Sequence, residues 1–362
     1  MRIAVIGGST AGLATALRLQ QSGHDVSIWE RRMGAPTGGF GLLLTPSVSD
    51  GIERIGIDLS DRVHPIEQCE ILDGEGSSIL SRPLQAVAGI GRLALVESLM
   101  TALQPGTIHT GSSFVGFEAD AKGPVKAALF SDGTRVEAEL FIGADGVRSQ
   151  VRQCHIPGPS LTPVRTVELV GICRQDRVPE AMRGRFLKTI RIGEGISIGL
   201  VPASDDSIIW YVQLDPRRWP QALLPQEQRQ RWLLNEIQRW PVQVEETISR
   251  SDLNQVHLWR TTDRDLSPTF HRDNVLLVGD AAHPLLTFTS QGTGSAIEDA
   301  LAIGDILDDH DSAGEAEMDH ALREFARIRR PVLRERLLMG RRMQQQFLRP
   351  SRHCQLEVPV CS

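Results

Sequence analysis

The sequence predicts a mixed α/β (α+β) fold, in which a discontinuous parallel-sheet domain encloses an inserted β-sheet domain and ends in a C-terminal helix. Three observations carry this expectation. A strand, a glycine-rich turn and a helix follow one another at the start, a strand-rich stretch fills the middle, and α/β character returns near residues 270–300. An α/β pattern on both sides of a β-rich middle indicates an insertion, because two successive domains would each keep a single pattern.

Residues 2–6 read as a buried parallel strand. The turn Gly7-Gly8-Ser9-Thr10-Ala11-Gly12 follows, then a helix over 13–21 closed by Ser22-Gly23, glycine being favoured just past a helix end. Residues 25–30 form a second strand and complete a βαβ entry. The Gly- and Pro-rich stretch 34–46 reads as a loop holding the short buried run Leu42-Leu43-Leu44, and 47–55 as a helix. Asp73-Gly74 marks a hairpin within 67–82. A helix over 92–103 precedes strand-like runs across 108–142, where Asp132-Gly133 marks another hairpin. Strands are expected at 190–192, 196–201 and 208–214, and a helix at 226–239. A strand at 274–278, the pair Gly279-Asp280, a loop and a helix from about Gly292 come next. A last helical stretch covers 318–348, and a poorly ordered tail begins at Pro350.

With 41% hydrophobic and 23% charged residues in 362, the composition is that of a soluble enzyme with ample core. A net charge of −6 argues against nucleic acid as a partner, since such binders carry a basic excess. The arginines of 323–342 accordingly read as a solvated helix face balanced by acidic neighbours. No apolar run is long enough for a membrane span. The N-terminal apolar run is too short for a secretory signal. Five cysteines without C-x-x-C pairing read as inert thiols in a reducing cytoplasm. No spacing of His, Cys or carboxylates suggests a metal site. Lys122, Lys126 and Lys188 are the only lysines, so anion binding is expected to fall to arginine or backbone N–H groups.

Gly7 and Gly12 occupy the outer places of G-x-G-x-x-G, with Ser9 in the middle one. The first glycine permits a tight turn, the last lets helix and strand pack closely, and the middle place is where backbone approaches a pyrophosphate. Serine is small enough for that approach, and its hydroxyl can donate to phosphate. The N–H groups of the first helical turn, Thr10 and Ala11, face such an anion with the helix dipole behind them. Glu30, 18 residues past Gly12 at the end of the second strand, suits ribose hydroxyls. Two further strand ends carry an aspartate, Asp145 in Ile142-Gly143-Ala144-Asp145-Gly146 and Asp280 in Val278-Gly279-Asp280-Ala281-Ala282-His283. An acid there can accept from a cofactor lying along the sheet edge.

These three motifs, in this order and at about this spacing, resemble those of the group A flavoprotein monooxygenases, aromatic-ring hydroxylases of the p-hydroxybenzoate hydroxylase type. The resemblance runs from Met1 to about Leu348. It implies a Rossmann-like FAD-binding domain over 1–66, 91–160 and 270–348, an inserted substrate-binding sheet over 67–90 and 161–269, and a tail over 349–362. It also implies that Gly7 to Gly12 and Glu30 hold the ADP half of FAD, with Arg31 or Arg32 near the adenosine. Arg92 matches the arginine that opens a helix against the cofactor. Asp145 matches the aspartate that serves both FAD and the transient NAD(P)H, and Asp280 the residue bonded to the ribityl chain. Gly292, Thr293 and Gly294 match the helix start whose N–H groups face the edge of the flavin that becomes negative on reduction. His283 reads as a structural residue of its turn rather than a base.

The resemblance implies that NAD(P)H reduces FAD and that the reduced flavin takes up O₂ and delivers one oxygen to an electron-rich ring as a C4a-hydroperoxide. The flavin does the chemistry while the protein orients and excludes water. Thr287 stands where many family members have a proline beside the oxygen-reacting flavin face, and Phe288, which follows it, is a candidate to flank the substrate, with core packing as the alternative. Tyr211 falls where relatives place an aromatic substrate contact. Strand alternation sends Trp210 and Tyr211 to opposite faces, so only one of them should line a cavity. Arg191 is available to an acidic substrate, although a solvated arginine is the better reading. The expected partners are a small aromatic or heteroaromatic substrate and O₂, with the chain as monomer or homodimer. Rival readings are an oxidase, reductase or halogenase on the same fold, or a non-catalytic flavin-binding protein. The halogenase signature W-x-W-x-I-P is missing, and Thr287 motivates the last.

Overall fold

The computed structural model describes residues 1–34, 40–119, 123–309 and 314–349. Its first strand, β1 (Arg2–Ile6), buries four of its five residues, and α1 (Thr10–Gln21) packs back along it through Leu13, Ala16, Leu17 and Leu19. β2 (Asp25–Glu30) pairs in parallel with β1, with Arg2 opposite Asp25 and Ile6 opposite Trp29. Next come β3 (Gly41–Leu44), α2 (Pro46–Arg54) and the hairpin of β4 (His64–Asp73) and β5 (Ser78–Gly91). The run Leu42-Leu43-Leu44, expected inside a loop, is therefore strand. β5 is long enough to pair with β4 and then, past it, with β3, which satisfies backbone groups that a loop would leave open.

The chain continues through α3 (Arg92–Ala102) and β6 (Ile108–Thr110) to a meander of β7 (Phe114–Ala119), β8 (Val125–Phe130) and β9 (Arg135–Glu137). Asp132-Gly133 forms the β8–β9 turn, with Gly133 at φ +86°. β10 (Leu140–Gly143) then pairs in parallel with β1, and α4 (Gln150–His155) follows. After it come β11 (Thr166–Arg174), β12 (Arg185–Arg191), β13 (Ile196–Ser204), β14 (Ser207–Leu214), α5 (Gln226–Ile237), α6 (Val242–Ser249) and β15 (His257–Thr261). β16 (His271–Arg272), β17 (Val275–Leu277), α7 (Gly292–Asp309) and α8 (Glu315–Leu348) complete the described chain.

Two sheets position the site. The six-stranded sheet runs β16-β17-β10-β1-β2-β6 and is parallel except at β16. The eight-stranded sheet runs β15-β11-β14-β13-β12-β4-β5-β3 and is antiparallel except between β12 and β4. It draws its strands from residues 41–44, 64–91 and 166–261. Alternation along β14 gives it two different faces. Trp210, Val212 and Leu214 pack against Leu233 and Ile237 of α5, Val244 of α6 and Trp240 between the two helices. Ile209, Tyr211 and Gln213 face a cleft on the other side.

The basic residues of α8 are not simply a solvated face. Arg323 and Arg327 do pair within the helix, with Asp319 and Glu324. Arg329 and Arg336 lie on the stripe that also carries Leu322, Phe325 and Leu333 inward, so helical periodicity takes them into the protein. Arg329 Nε donates to Asp299 at 2.7 Å, Arg336 forks onto Glu298 at 2.6 and 2.7 Å, and Arg341 Nε donates to Asp263 at 2.8 Å.

Candidate functional site

The parallel register of β1, β10 and β17 brings three strand ends to one edge, Val5 opposite Ile142 and Ile142 opposite Leu276. Gly7, Asp145 and Asp280 consequently meet there. Gly7 sits at φ +113°, and a Cβ on it would fall 2.4 Å from the Ala144 carbonyl oxygen, so the turn is closed against β10. A Cβ on Gly12 would fall 1.9 Å from the carbonyl oxygen of Gly7. Gly12 packs helix on turn and does not itself line the cleft, whereas Gly7, Ser9, Thr10 and Ala11 do.

Ser9 caps α1 with an extended backbone and no side-chain capping bond, which leaves the first N–H groups of that helix available. Its hydroxyl accepts from Arg92 Nη2 at 2.6 Å, so the O–H is still free to donate. Arg92 opens α3 as expected, and the Ser9 contact draws it across to the glycine turn. Glu30 accepts from the Gly8 N–H at 2.8 Å through one oxygen and from the Arg32 N–H at 2.9 Å through the other. Arg31 and Arg32 are exposed at the cleft rim.

Asp145 Oδ2 accepts from the backbone N–H groups of Gln150 (2.6 Å) and Val151 (3.2 Å), while its Oδ1 is buried without a partner. The Arg152 guanidinium donates to Val147 O at 2.6 Å and Ala281 O at 2.7 Å, which staples the Asp145 turn to the Asp280 turn. Asp280 makes no hydrogen bond to another described residue. Burial pushes its carboxyl above the ordinary range, against the pull of His283, Arg92 and Arg152. A half-buried acid at the cleft wall with unused acceptors suits a ligand that supplies donors. Behind it, Asp299 on α7 accepts from the Gly279 N–H at 2.8 Å and lies 2.5 Å from His283 Nε2. His283 is 1% exposed and structural, as its motif suggested. Gly292 and Thr293, at the start of α7, line the cleft. Gly294 does not, because it packs on Val48, where a Cβ would fall 2.6 Å from Cγ2.

From this edge a single cleft of about 2440 Å³ extends to the eight-stranded sheet. Pockets for one drug-sized ligand hold roughly 300–1,000 Å³, so this volume suits an elongated cofactor together with a small substrate. Tyr211 lies flat across β13, and a Cβ on Gly199 opposite it would sit 2.2 Å from Tyr211 Cζ and 2.5 Å from its hydroxyl. Trp210, by contrast, is fully buried on the other face. Phe288 borders the cleft with little exposure, held by Leu286, Met343 and Phe347. Thr287 Oγ1 donates to Glu168 Oε1 at 2.5 Å. Arg191 borders the cleft, but it is largely buried and its guanidinium is engaged by the protein itself. Its Nη1 meets Glu236 at 2.8 Å, its Nη2 donates to Arg239 O at 2.6 Å, and its guanidinium lies 4.3 Å over the Trp240 ring.

Sequence reasoning missed Glu168, Lys188 and Gln213, all of which line the cleft. Gln213 Nε2 donates to Glu168 Oε1 at 2.7 Å. Burial raises the Glu168 carboxyl and lowers the Lys188 ammonium, each partly countered by the other's charge. A signal was present. Thr-Val-Glu-Leu-Val-Gly-Ile and Phe-Leu-Lys-Thr-Ile each place a single charge in an otherwise apolar strand, which is costly unless that face holds a partner.

The comparisons with known proteins agree with this geometry. The family model described as an FAD binding domain matches residues 1–336. A 3-amino-4-hydroxybenzoate 2-monooxygenase of Streptomyces platensis is 28% identical over 352 residues, 92% of this chain and 85% of its own. A 6-hydroxynicotinate 3-monooxygenase of Bordetella bronchiseptica is 28% identical over 353 residues, 91% of this chain and 90% of its own. Among solved structures, Klebsiella pneumoniae HpxO complexed with FAD and uric acid superposes with a TM-score of 0.84 at 21% identity, covering 97% of this chain and 90% of that one. At that identity the match speaks to fold.

Proposed function

This chain belongs to the FAD-binding domain family, and we propose that it is an FAD- and NAD(P)H-dependent monooxygenase that hydroxylates a small aromatic or heteroaromatic compound. The observation that carries this reading is the continuity of one cleft, from the glycine turn and the Asp145 and Asp280 edge to the face around Tyr211. Gly7, Ser9, Thr10 and Ala11, with Gly12 behind them and Glu30, Arg31 and Arg32 beside them, would hold the ADP half of FAD. Arg92, Asp145 and Asp280 would hold its middle, an assignment supported by the buried, unpartnered Oδ1 of Asp145 and by the place of Asp280 on the cleft wall. Gly292 and Thr293, with Gly294 packed behind, would present the N-terminus of α7 to the flavin edge.

Bound FAD would supply the redox chemistry, accepting electrons from NAD(P)H and activating O₂. The protein's part is to bind, orient and keep water out. Phe186, Val201 and Ile209 give the sheet face an apolar floor beside Tyr211, and Leu286 to Phe288 close it from above. A ring held there is desolvated on its faces and touched by polar groups only at its edge. We also place the chain in the cytoplasm, as a monomer or homodimer.

The test is to load the purified protein with FAD and follow NADH and NADPH oxidation against a panel of ring compounds. A substrate should accelerate oxidation and consume equimolar O₂, with the hydroxylated ring as product. FAD-loaded protein that no candidate ring stimulates, with either nicotinamide, would exclude this reading.

A further inference from the structure

The cleft face of the eight-stranded sheet carries opposite charges at two separated places. Register fixes them. One row across the sheet is Val170, Tyr211, Gly199 and Lys188, and the next is Glu168, Gln213, Ser197 and Ile190. Glu168 on β11 and Lys188 on β12 are three strand intervals apart, about 14 Å at the backbone. They form no salt bridge, and Lys188 makes no hydrogen bond or ion pair with any other described residue. Glu168 uses only Oε1, for Gln213 and Thr287. Gln213 Oε1 and Ser197 Oγ, between the two charges, are buried without partners.

We propose that Lys188 is the anion-recognising residue of this cavity, and that the substrate is a planar ring acid whose carboxylate meets the Lys188 ammonium while a ring hydroxyl or N–H donates to Glu168. This deepens the monooxygenase reading above and rests on it. Planarity follows from the floor. Tyr211 can lie across β13 only because residue 199 is glycine, and Phe186, Ile190, Val201 and Ile209 surround it with apolar surface. The anion follows from the lysine. A desolvated ammonium without a partner is costly, and burial already pushes Lys188 toward its neutral form, so an incoming carboxylate restores what the fold took away. The donor follows from Glu168, whose second oxygen has no hydrogen-bond partner among the described residues. Lys188 and Glu168 feel each other's charge across the sheet, but no ion pair joins them, so each keeps hydrogen-bonding capacity for a ligand.

The test uses the FAD-loaded full chain and two matched probe pairs, 4-hydroxybenzoate with 4-hydroxybenzamide and 6-hydroxynicotinate with 6-hydroxynicotinamide. Each pair differs in one charge and little in shape. Binding is read by calorimetry and by the change in flavin absorbance. Wild type should bind the acid of at least one pair about 30-fold or more tighter than its amide. K188M should weaken the acid until the two are nearly equal, and K188R should retain most of the preference. A structural role would weaken both members alike. The inference is overturned if K188M keeps the wild-type ratio, if wild type prefers the amides, or if wild type binds no probe. Should K188M lose its FAD, K188Q and K188R decide by the same ratio, and an unchanged ratio in both overturns it. Protein that takes up no FAD at all would instead overturn the underlying monooxygenase reading.

Discussion

Thr287 and Glu168 lie 119 residues apart in sequence and share a 2.5 Å hydrogen bond. That bond joins the loop after the Asp280 turn to the inserted sheet, so the strand-end edge and the cleft face of the sheet meet through one hydroxyl and one carboxylate. A proline at 287 could not make it, because proline has no side-chain donor. The departure from the family's usual residue therefore has a local reason in this chain, which is the buried acid it serves.

Thr287→Val keeps the shape and removes the donor. It should cost about 1–2 kcal/mol of stability, since Glu168 stays buried with one partner fewer. FAD content should be unchanged, while binding of the hydroxylated ring probes weakens several-fold. Thermal melting and the absorbance titration together check this. A variant that sheds its FAD instead would show that Thr287 supports the cofactor rather than the sheet.

Gly12→Ala places a methyl 1.9 Å from the Gly7 carbonyl oxygen, and backbone cannot move aside as a side chain can. We expect a loss of about 1–3 kcal/mol from overpacking and, more tellingly, a turn pushed off its geometry. The purified variant should be pale or colourless. Retention of a full complement of FAD would refute the tight-packing role of this glycine.

Arg92→Met removes the charged donor to Ser9 and one of the positive charges acting on Asp280. Hydrogen bonds to charged groups contribute about 1.5–3 kcal/mol, so the FAD dissociation constant should rise about tenfold or more. Quenching of flavin fluorescence on titration measures it. An unaltered constant would mean that Arg92 only shapes the turn.

Asp299 sets a pH dependence. Burial alone would raise its carboxyl, but His283, Arg329 and the Gly279 N–H together bring it below the ordinary carboxylate range. A carboxylate lowered in the fold adds stability above its unfolded value, near 3.8, and loses that contribution as pH falls through the folded value. Asp299→Asn should therefore cost about 3 kcal/mol at neutral pH, because Arg329 stays buried with a partner lost. The gap between variant and wild type should narrow steadily below pH 4. Parallel melting curves from pH 7 to 3 test the sign, and a constant gap across that range would contradict it.

The edge proposed to hold the cofactor was legible in the sequence because it is local. A tight turn, a helix start and an acid at a strand end are each written in a few adjacent residues, and Gly7 to Gly12, Glu30, Asp145 and Asp280 all fall where their motifs indicated. Arg92 was legible as a helix opener, though its contact with Ser9 was not. Arg329, Arg336 and Arg341 of α8 were misread as solvated, unlike the exposed Arg323 and Arg327, because composition records charge but not which stripe of a helix faces inward. Arg191 was misread for the same reason, since its partners Glu236 and Trp240 come from a different element.

By itself, then, the sequence determined the family, the tight turn and strand-end acids of the first sheet, and the enclosure of a β-sheet within an α/β domain, since backbone conformation at glycines and strand ends is governed by neighbours in the chain. Only the tertiary structure decided which side chains share the cleft face of the eight-stranded sheet. Glu168, Lys188, Tyr211 and Thr287 come from four separate segments, and strand register, a property of pairing between distant residues, is what places them around one cavity.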